Sequence, residues 1–256
     1  MLTRNKLLYL LILLFVIIFS LKKKNIYENY ENNIPQNIIQ TWKNNNIPQN
    51  YINLTNSVKN NNKNYNYIFF TDNNIEIFLK NKYSKYYNTY LKLPLKIQKI
   101  DFFRYIALYH YGGFYMDLDM ECIKSFNSLL NNYAVFPIDI IFTNKNINNI
   151  RYRKYLSTGL KGTVGQYAFA CTTKNEFMKY LIDNIHNNIN KIIKDYDILK
   201  NNKSNIRRYV YSSTGPDYVT DCFLKFKDRS KIKILDNNIS QTFGTYATHK
   251  HMGTWK

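Results

Sequence analysis

Cysteine is scarce in this chain of 256 residues: Cys122, Cys171 and Cys222 lie far apart and are odd in number. That excludes a zinc site of the Cys-x-x-Cys kind and a full disulfide framework, leaving either one bridge and one thiol or three small buried apolar side chains. Acidic residues are also few, 17 against 36 Lys and Arg, for a formal charge of +19. Such an excess ordinarily points to nucleic acid. Here it is Lys spread through Asn, Ile and Tyr, the mixture that AT-rich codons produce, and no arginine-rich stripe interleaved with aromatics is present. Nucleic acid is therefore not the expected ligand. A solvated basic surface that tolerates phosphate-bearing substrates or anionic headgroups is. No internal repeat of useful length appears, so the chain reads as one ordinary domain, with or without an appendage, large enough to bury a substantial core.

Long apolar runs are lacking with one exception, Leu7 to Leu21, "LLYLLILLFVIIFSL", preceded by Arg4 and Lys6 and followed by Lys22, Lys23 and Lys24. These fifteen residues fall short of the roughly 20 that cross a bilayer comfortably, but flanking Lys and Arg can snorkel. Residues 1–24 are expected to be a signal anchor or single transmembrane segment, residues 25–33 a short polar stem, and residues 34–256 the folded domain. The alternatives are a cleaved signal peptide, against which stands the lack of a small-x-small cleavage site, and a buried core helix. Positive charge on both flanks leaves the orientation open. Sequons at Asn53, Asn202 and Asn238 are compatible with a lumenal, Golgi- or ER-like domain.

After the stem, β-type runs lie around Ile38–Ile39 and from Tyr65 to Asp72. Asp72 or Asn73 is expected to cap one helix through Ile75–Leu91, and Pro94 to open another over Leu95–Tyr111, with an apolar stripe of Ile97, Ile100, Ala107, Leu108 and Tyr111. Gly112 and Gly113 end it, and Phe114–Met116 follows as a short buried strand. "YAFACT" reads as a strand, Glu176–Tyr196 as one long amphipathic helix, and "PDYVTDCFLKFK" as a helix with Pro216 in its first turn. Asn-rich stretches near Asn60, Asn146 and Asn201 read as loops. Strand and helix alternation at this spacing predicts an α/β domain with a mostly parallel central sheet.

The chemistry concentrates in "GGFYMDLDM", where Asp117 and Asp119 follow a buried strand. In open α/β sheets ligands bind beyond the carboxyl ends of strands, and side chains two apart in an extended segment point the same way. The two carboxylates can thus converge on one hard cation, Mg2+ or Mn2+, whose shell is completed by water and substrate phosphate. A bare Asp-x-Asp also occurs in solvated turns. In the preceding helix, Asp101 and Arg104 are three apart within an apolar stretch and share a face; they either meet a polar ligand at the same sheet edge or pair with each other.

These residues carry a resemblance. "IDFFRYIALYHYGGFYMDLDM" resembles the core of the glycosyltransferases whose sugar-binding region contains the DXD motif, the family of the yeast initiating and sphingolipid mannosyltransferases, and is similar to the glucosyltransferase domains of large clostridial toxins. "IPQNIIQTWK" resembles the family's entry strand, "STGPDYVT" its Thr-Gly-Pro helix start, and "ATHKHMGTWK" its closing His-containing segment. The four signals stand in the family's order and cover nearly all of the chain after the hydrophobic start. The resemblance implies a GT-A fold, a nucleotide-sugar donor (GDP-mannose or a UDP-hexose), a DXD-bound divalent cation, transfer with retention, and a glycan, lipid or protein acceptor.

Matched residue by residue, the resemblance implies that Trp42 stacks on the nucleotide base and that Asp101 and Arg104 hold the donor sugar. Asp117 would reach the ribose or a cation-bound water, and Asp119 the cation itself. His249, or His251 two residues on, would be a cation or diphosphate ligand, and Trp255 a donor to the leaving diphosphate. Both tryptophans could instead be core residues, and both histidines merely solvated. The chain departs from the family pattern at Ile39, where the family has histidine, at Thr254 for the closing serine, and in "QYAFACTTKNEF", where Tyr167 stands in place of asparagine and Glu176-Phe177 in place of a His-Pro pair. That last segment belongs to the acceptor side. Two other classes compete: a catalytically silent homologue serving as a binding module, and a metal-dependent nuclease or phosphatase, for which Glu121 is the only extra acid nearby.

Overall fold

The computed structural model describes residues 33–236 and 238–253, together with Phe15. Nearly all of the expected anchor and of the stem, and Trp255, lie outside the described residues, among which no helix is long and apolar enough to cross a membrane. The chain begins with strand β1 (Asn37–Trp42), a helix over Gln49–Asn61, and β2 (Asn66–Thr71). Helices Asp72–Lys82, Ser84–Lys92 and Lys96–Tyr111 lead into β3 (Gly113–Met116) and β4 (Met120–Cys122). Then come β5 (Ala134–Ile141), a short helix Ile150–Leu156, β6 (Gly162–Val164) and β7 (Ala168–Cys171). Four helices follow, Glu176–Asn187, Ile189–Leu199, Lys203–Ser213 and Pro216–Lys225, before β8 (Ile232–Leu235), β9 (Thr242–Phe243) and β10 (Ala247–His249).

The central sheet has the order β2-β1-β3-β7-β5-β6, with β8 also paired to β5. β1 runs parallel to β2 and β3, and β5 parallel to β8, whereas β7 is antiparallel to β3 and β5, and β6 to β5. Five strands therefore share one direction and β6 and β7 reverse it, so the sheet is mostly parallel by direction. Its strands alternate between two cores. Ile39, Tyr115, Phe169 and Cys171 face the helices Lys96–Tyr111, Glu176–Asn187 and Pro216–Lys225. Ile38, Phe114, Met116 and Ala170 face a second layer with Phe126 and Phe243. Each fully buried Phe removes enough apolar surface to contribute about 2 kcal/mol. All three cysteines are free and buried.

A smaller sheet, β4-β10-β9, lies beside the first. Its antiparallel register sets His249 opposite Met120, and therefore next to Asp119.

Several local expectations are corrected. The region before Asn62 is helical: Asn61 Nδ2 donates to the Cys122 carbonyl at 3.1 Å, Asn62 Oδ1 accepts from Phe126 N–H at 2.9 Å, and Ser57 Oγ accepts from Cys122 N–H at 2.8 Å. These asparagines are tied to β4 and the segment after it, so tertiary bonds outweigh the loop preference of their composition. The helix cap falls on Thr71, whose side chain accepts from Asn74 N–H at 3.3 Å, one residue before the expected Asp72 or Asn73. Ile75–Leu91 breaks at Tyr83 and Glu176–Tyr196 at Asn188, both of which leave helical backbone angles.

The helix Lys96–Tyr111 is buried on every side from Asp101 to Leu108, not along a stripe. It ends where Gly113 takes a φ of +96°, with the Asn37 carbonyl oxygen 2.4 Å from where a Cβ would sit. Only glycine permits that backbone at that distance from β1.

Candidate active site

Asp117 and Asp119 leave β3 through a tight turn, in which Met120 N–H donates to the Asp117 carbonyl at 3.2 Å. The turn, rather than an extended segment, brings the carboxylates together. One ligand atom each from Asp117, Asp119 and His249 lie within 4.8 Å of one another. His249 Nε2 is 3.1 Å from Asp119 Oδ1, while Asp119 Oδ2 accepts from Met252 N–H at 3.1 Å. Burial pushes His249 downward, but the carboxylates of Asp119, Asp117 and Asp139 outweigh it, and its pKa is raised. Burial likewise opposes ionisation of Asp119, yet the His249 bond and charge and the Met252 amide hold it below its ordinary value. Asp117 is raised by burial against the pull of Arg104.

Two carboxylates and an imidazole form a donor set suited to a divalent cation, with the nitrogen favouring Mn2+ over Mg2+. His249 turns Nε2 toward the carboxylates, and its Nδ1 is buried with no hydrogen-bond partner among the described residues. His251 packs edge-on to His249, ring centroids 4.3 Å apart, and is not one of the three converging groups.

Behind the turn, Arg104 joins the helix to it. Nη2 lies 3.4 Å from Asp101 Oδ1 and 3.3 Å from Asp117 Oδ1, and Nη1 donates to the Gln166 carbonyl at 2.8 Å. The guanidinium stands 4.6 Å over the Tyr115 ring. The two arrangements open from spacing coexist: Asp101 and Arg104 pair, and Arg104 also reaches the carboxylate turn. Asp101 is nearly inaccessible, 1% exposed. It accepts from Thr214 Oγ1 at 2.8 Å and from Gln166 Nε2 at 3.1 Å. Burial pushes it up to about 6 against Arg104 and Thr214. Burial lowers Arg104, but Asp117, Tyr115 and Asp101 raise it further, so it stays charged. Arg104 Nε has no hydrogen-bond partner among the described residues. Tyr105 Oη closes the network by donating to Gln166 Oε1 and to the Thr214 carbonyl.

Trp42 ends β1, its ring 4.8 Å from Tyr51, and its Nε1 is buried with no hydrogen-bond partner among the described residues. Burial raises the Tyr51 pKa, and the Asp119 charge adds to it. Tyr167 stacks on His249 at 4.9 Å with the rings 9° from parallel, and its hydroxyl donates to the carbonyls of Ile138 and Thr242 at 3.1 and 3.0 Å. Sequence reasoning missed Gln166 and Tyr51, and marked Tyr167 only as a departure. Gln166 carried a signal in its place beside Tyr167, but its partners lie more than sixty residues away.

This arrangement, a mixed sheet with a carboxylate turn at a strand end and a small second sheet carrying a histidine, is that of a GT-A-like glycosyltransferase fold. It superimposes on the structure entitled PaToxG Glycosyltransferase with a TM-score of 0.50 at 18% identity, covering 80% of this chain and 76% of the other. Residues 48–136 match the family described as glycosyltransferase sugar-binding region containing DXD motif. The chain resembles that family over this stretch. It is similar to inositol phosphoceramide mannosyltransferase 1 of Schizosaccharomyces pombe, 42% identical over 101 residues, which are 38% of this chain and 32% of that protein. It is also similar to the initiation-specific alpha-1,6-mannosyltransferase of Candida albicans, 30% identical over 105 residues, 38% of this chain and 27% of that protein. The matches thus span about a third or less of these relatives' own length.

Proposed function

We propose that this chain is a metal-dependent glycosyltransferase that moves a hexose, mannose before galactose or glucose, from a nucleotide-sugar donor to a hydroxyl of a glycan, lipid or protein, with retention at the anomeric carbon. The observation that carries this reading is the meeting of Asp117, Asp119 and His249 at a sheet edge, with Arg104 tied to the same Asp117 carboxylate. Mannose is preferred because the relatives with the same DXD region bear mannosyltransferase names. The transferase domain is assigned to residues 34–256, behind an anchor in residues 1–24 and a stem in residues 25–33, with the domain on the lumenal side of a secretory membrane.

Asp117, Asp119 and His249 would hold the cation, which when bound supplies positive charge opposite the diphosphate of the donor. Arg104 adds a fixed positive charge from the protein side. Because Asp101, Gln166 and Tyr115 hold the guanidinium in place, it need not reorganise as negative charge builds on the leaving group. Trp42 would offer its face to the nucleotide base. Trp255 is assigned as a donor to the diphosphate, and His251, next to His249, as an auxiliary polar group. The silent-homologue reading is weaker, because a binding module has no need to bury an arginine between two carboxylates at a strand end. Incubating the chain with Mn2+ and a panel of GDP- and UDP-hexoses, and following nucleoside diphosphate release with the anomeric form of the product by NMR, tests the proposal. Release from one donor with a retained anomer is expected; no release from any donor would refute it.

A further inference from the structure

Side chains two apart on a strand share a face, so Ile38, which belongs to the second core, is followed on the same side of β1 by Gln40. Gln40 is fully buried, 0% exposed, and a buried amide is costly unless its oxygen and its nitrogen are both bonded. Here both are. Tyr67 stands opposite Ile38 on β2, which makes it a diagonal neighbour of Gln40, and its hydroxyl donates to Gln40 Oε1 at 2.8 Å. Gln40 Nε2 donates in turn to the Asp117 carbonyl at 3.3 Å, across 77 residues of chain. From the helix Gln49–Asn61, the Lys59 ammonium lies 4.0 Å from the centre of the Tyr67 ring and covers the far end of this relay.

The acceptor of that bond is the carbonyl on which the carboxylate turn closes, through the Met120 N–H at 3.2 Å. Other groups of Asp117 are held from elsewhere: its N–H donates to the Tyr167 carbonyl at 2.7 Å, and its Oδ1 accepts from the Tyr115 hydroxyl at 3.0 Å and lies 3.3 Å from Arg104 Nη2. Those contacts fix the strand end and the first carboxylate. They do not fix the peptide between Asp117 and Leu118, whose plane decides where the turn carries Asp119. Gln40 does, as a second donor to its oxygen. With Oε1 held by the Tyr67 hydroxyl, the amide keeps its NH2 toward the turn. An apolar side chain would serve the packing of β1, as Ile38 and Ile39 do; the amide is spent on the turn and on the residue that orients it.

We propose that Gln40 is a positioning residue for the carboxylate turn and that Tyr67 acts through it, the pair setting the spacing of Asp117 and Asp119 before a cation arrives. The effect on cation affinity rests on the reading of that turn given above; the hold on the turn itself does not. Two readouts on the full chain separate them: Mn2+ affinity by electron paramagnetic resonance, and hydrogen exchange of the Met120 amide by NMR without Mn2+. The variants are Gln40→Met, Tyr67→Phe and the double variant, with melting temperatures to show that each is folded. Gln98→Met serves as a control, since Gln98 is equally buried but bonds Ser213 Oγ and the Leu95 N–H, away from the turn. Gln40→Met is expected to weaken Mn2+ binding about ten-fold and Tyr67→Phe by less, with the control unchanged. Because Tyr67 acts through Gln40, the double variant should match Gln40→Met within about two-fold. The Met120 amide should exchange about ten-fold faster in Gln40→Met than in the wild type. Wild-type Mn2+ affinity in a folded Gln40→Met, or an equal loss in Gln98→Met, would reduce Gln40 to a packing residue, and additive effects in the double variant would overturn the relay. A wild type that binds no Mn2+ would count against the cation reading; Met120 exchange then decides the positioning role alone, and unchanged exchange in Gln40→Met would overturn it.

Discussion

Replacing Arg104 by lysine separates a donor-site role from a purely structural one. The guanidinium, 4% exposed, serves Asp101, Asp117 and the Gln166 carbonyl at once. A lysine ammonium is a point charge that keeps the sign but cannot span the three. Alanine is the poorer choice, because the buried Asp101 carboxylate left without its cation costs about 3–5 kcal/mol and threatens the fold. In Arg104→Lys, one charge-assisted contact and the bond to the Gln166 carbonyl are lost, roughly 2–4 kcal/mol together. For a domain of this size that lowers Tm by about 5–15 °C. If Arg104 also faces the donor, kcat/KM for the nucleotide sugar falls by about ten- to a hundred-fold, or about 1.4–2.7 kcal/mol, at a temperature where the variant is fully folded. Mn2+ affinity changes by less than about three-fold, since the cation ligands stay in place. Thermal melts, donor kinetics and Mn2+ titration on the same preparations decide the matter. A variant that melts early but turns over donor within about two-fold of wild type would refute the donor-site argument.

Three further outcomes follow. Gly113→Ala puts a Cβ 2.4 Å from the Asn37 oxygen at φ +96°, so it should destabilise the fold by about 3 kcal/mol or more; a denaturant midpoint equal to wild type would show that the strand junction is not tight. Tyr167→Leu removes the ring stacked on His249 and should weaken Mn2+ binding about ten-fold in an electron paramagnetic resonance titration, with Tyr167→Phe close to wild type; equal binding by the leucine variant would remove Tyr167 from any role in setting the imidazole plane. Asp101 is pushed up to about 6 in the fold, so its contribution to stability is complete below about pH 4 and is lost as pH rises through about 6, roughly 3 kcal/mol in all; the stability difference between wild type and Asp101→Asn should shift by that amount between pH 4 and 7, and parallel stability curves would contradict the burial of a charged Asp101.

What was legible in the sequence was local. The Gly-Gly stop, the buried strand after it and the Asp-x-Asp beyond that strand follow from backbone and side-chain periodicity within about twenty residues, as do β1, β2 and the helix opened by Pro216. Residues 49–61 were lost among asparagines whose helix is held by β4 and the segment after it, a partner composition cannot reveal. His249 could be matched to a motif, but its place beside Asp119 depends on the pairing of β10 with β4, strands more than a hundred residues apart. Separation along the chain also hid Gln166 and Thr214, which bind Asp101 from 65 and 113 residues away. The turn geometry of Asp117 and Asp119 was also beyond reach, because alternation in an extended strand and a tight turn both bring i and i+2 carboxylates together.

The central claim is that the carboxylate turn supports cation-dependent glycosyl transfer, and the most direct test is nucleoside diphosphate release from a nucleotide-hexose by the full chain, with and without Mn2+, in wild type and Asp119→Asn. The account predicts release by the wild type with Mn2+, a fall to background after EDTA treatment that Mn2+ reverses, and no release above background by a folded Asp119→Asn at any Mn2+ concentration. Full turnover in EDTA-stripped protein, or wild-type rates in Asp119→Asn, would contradict it.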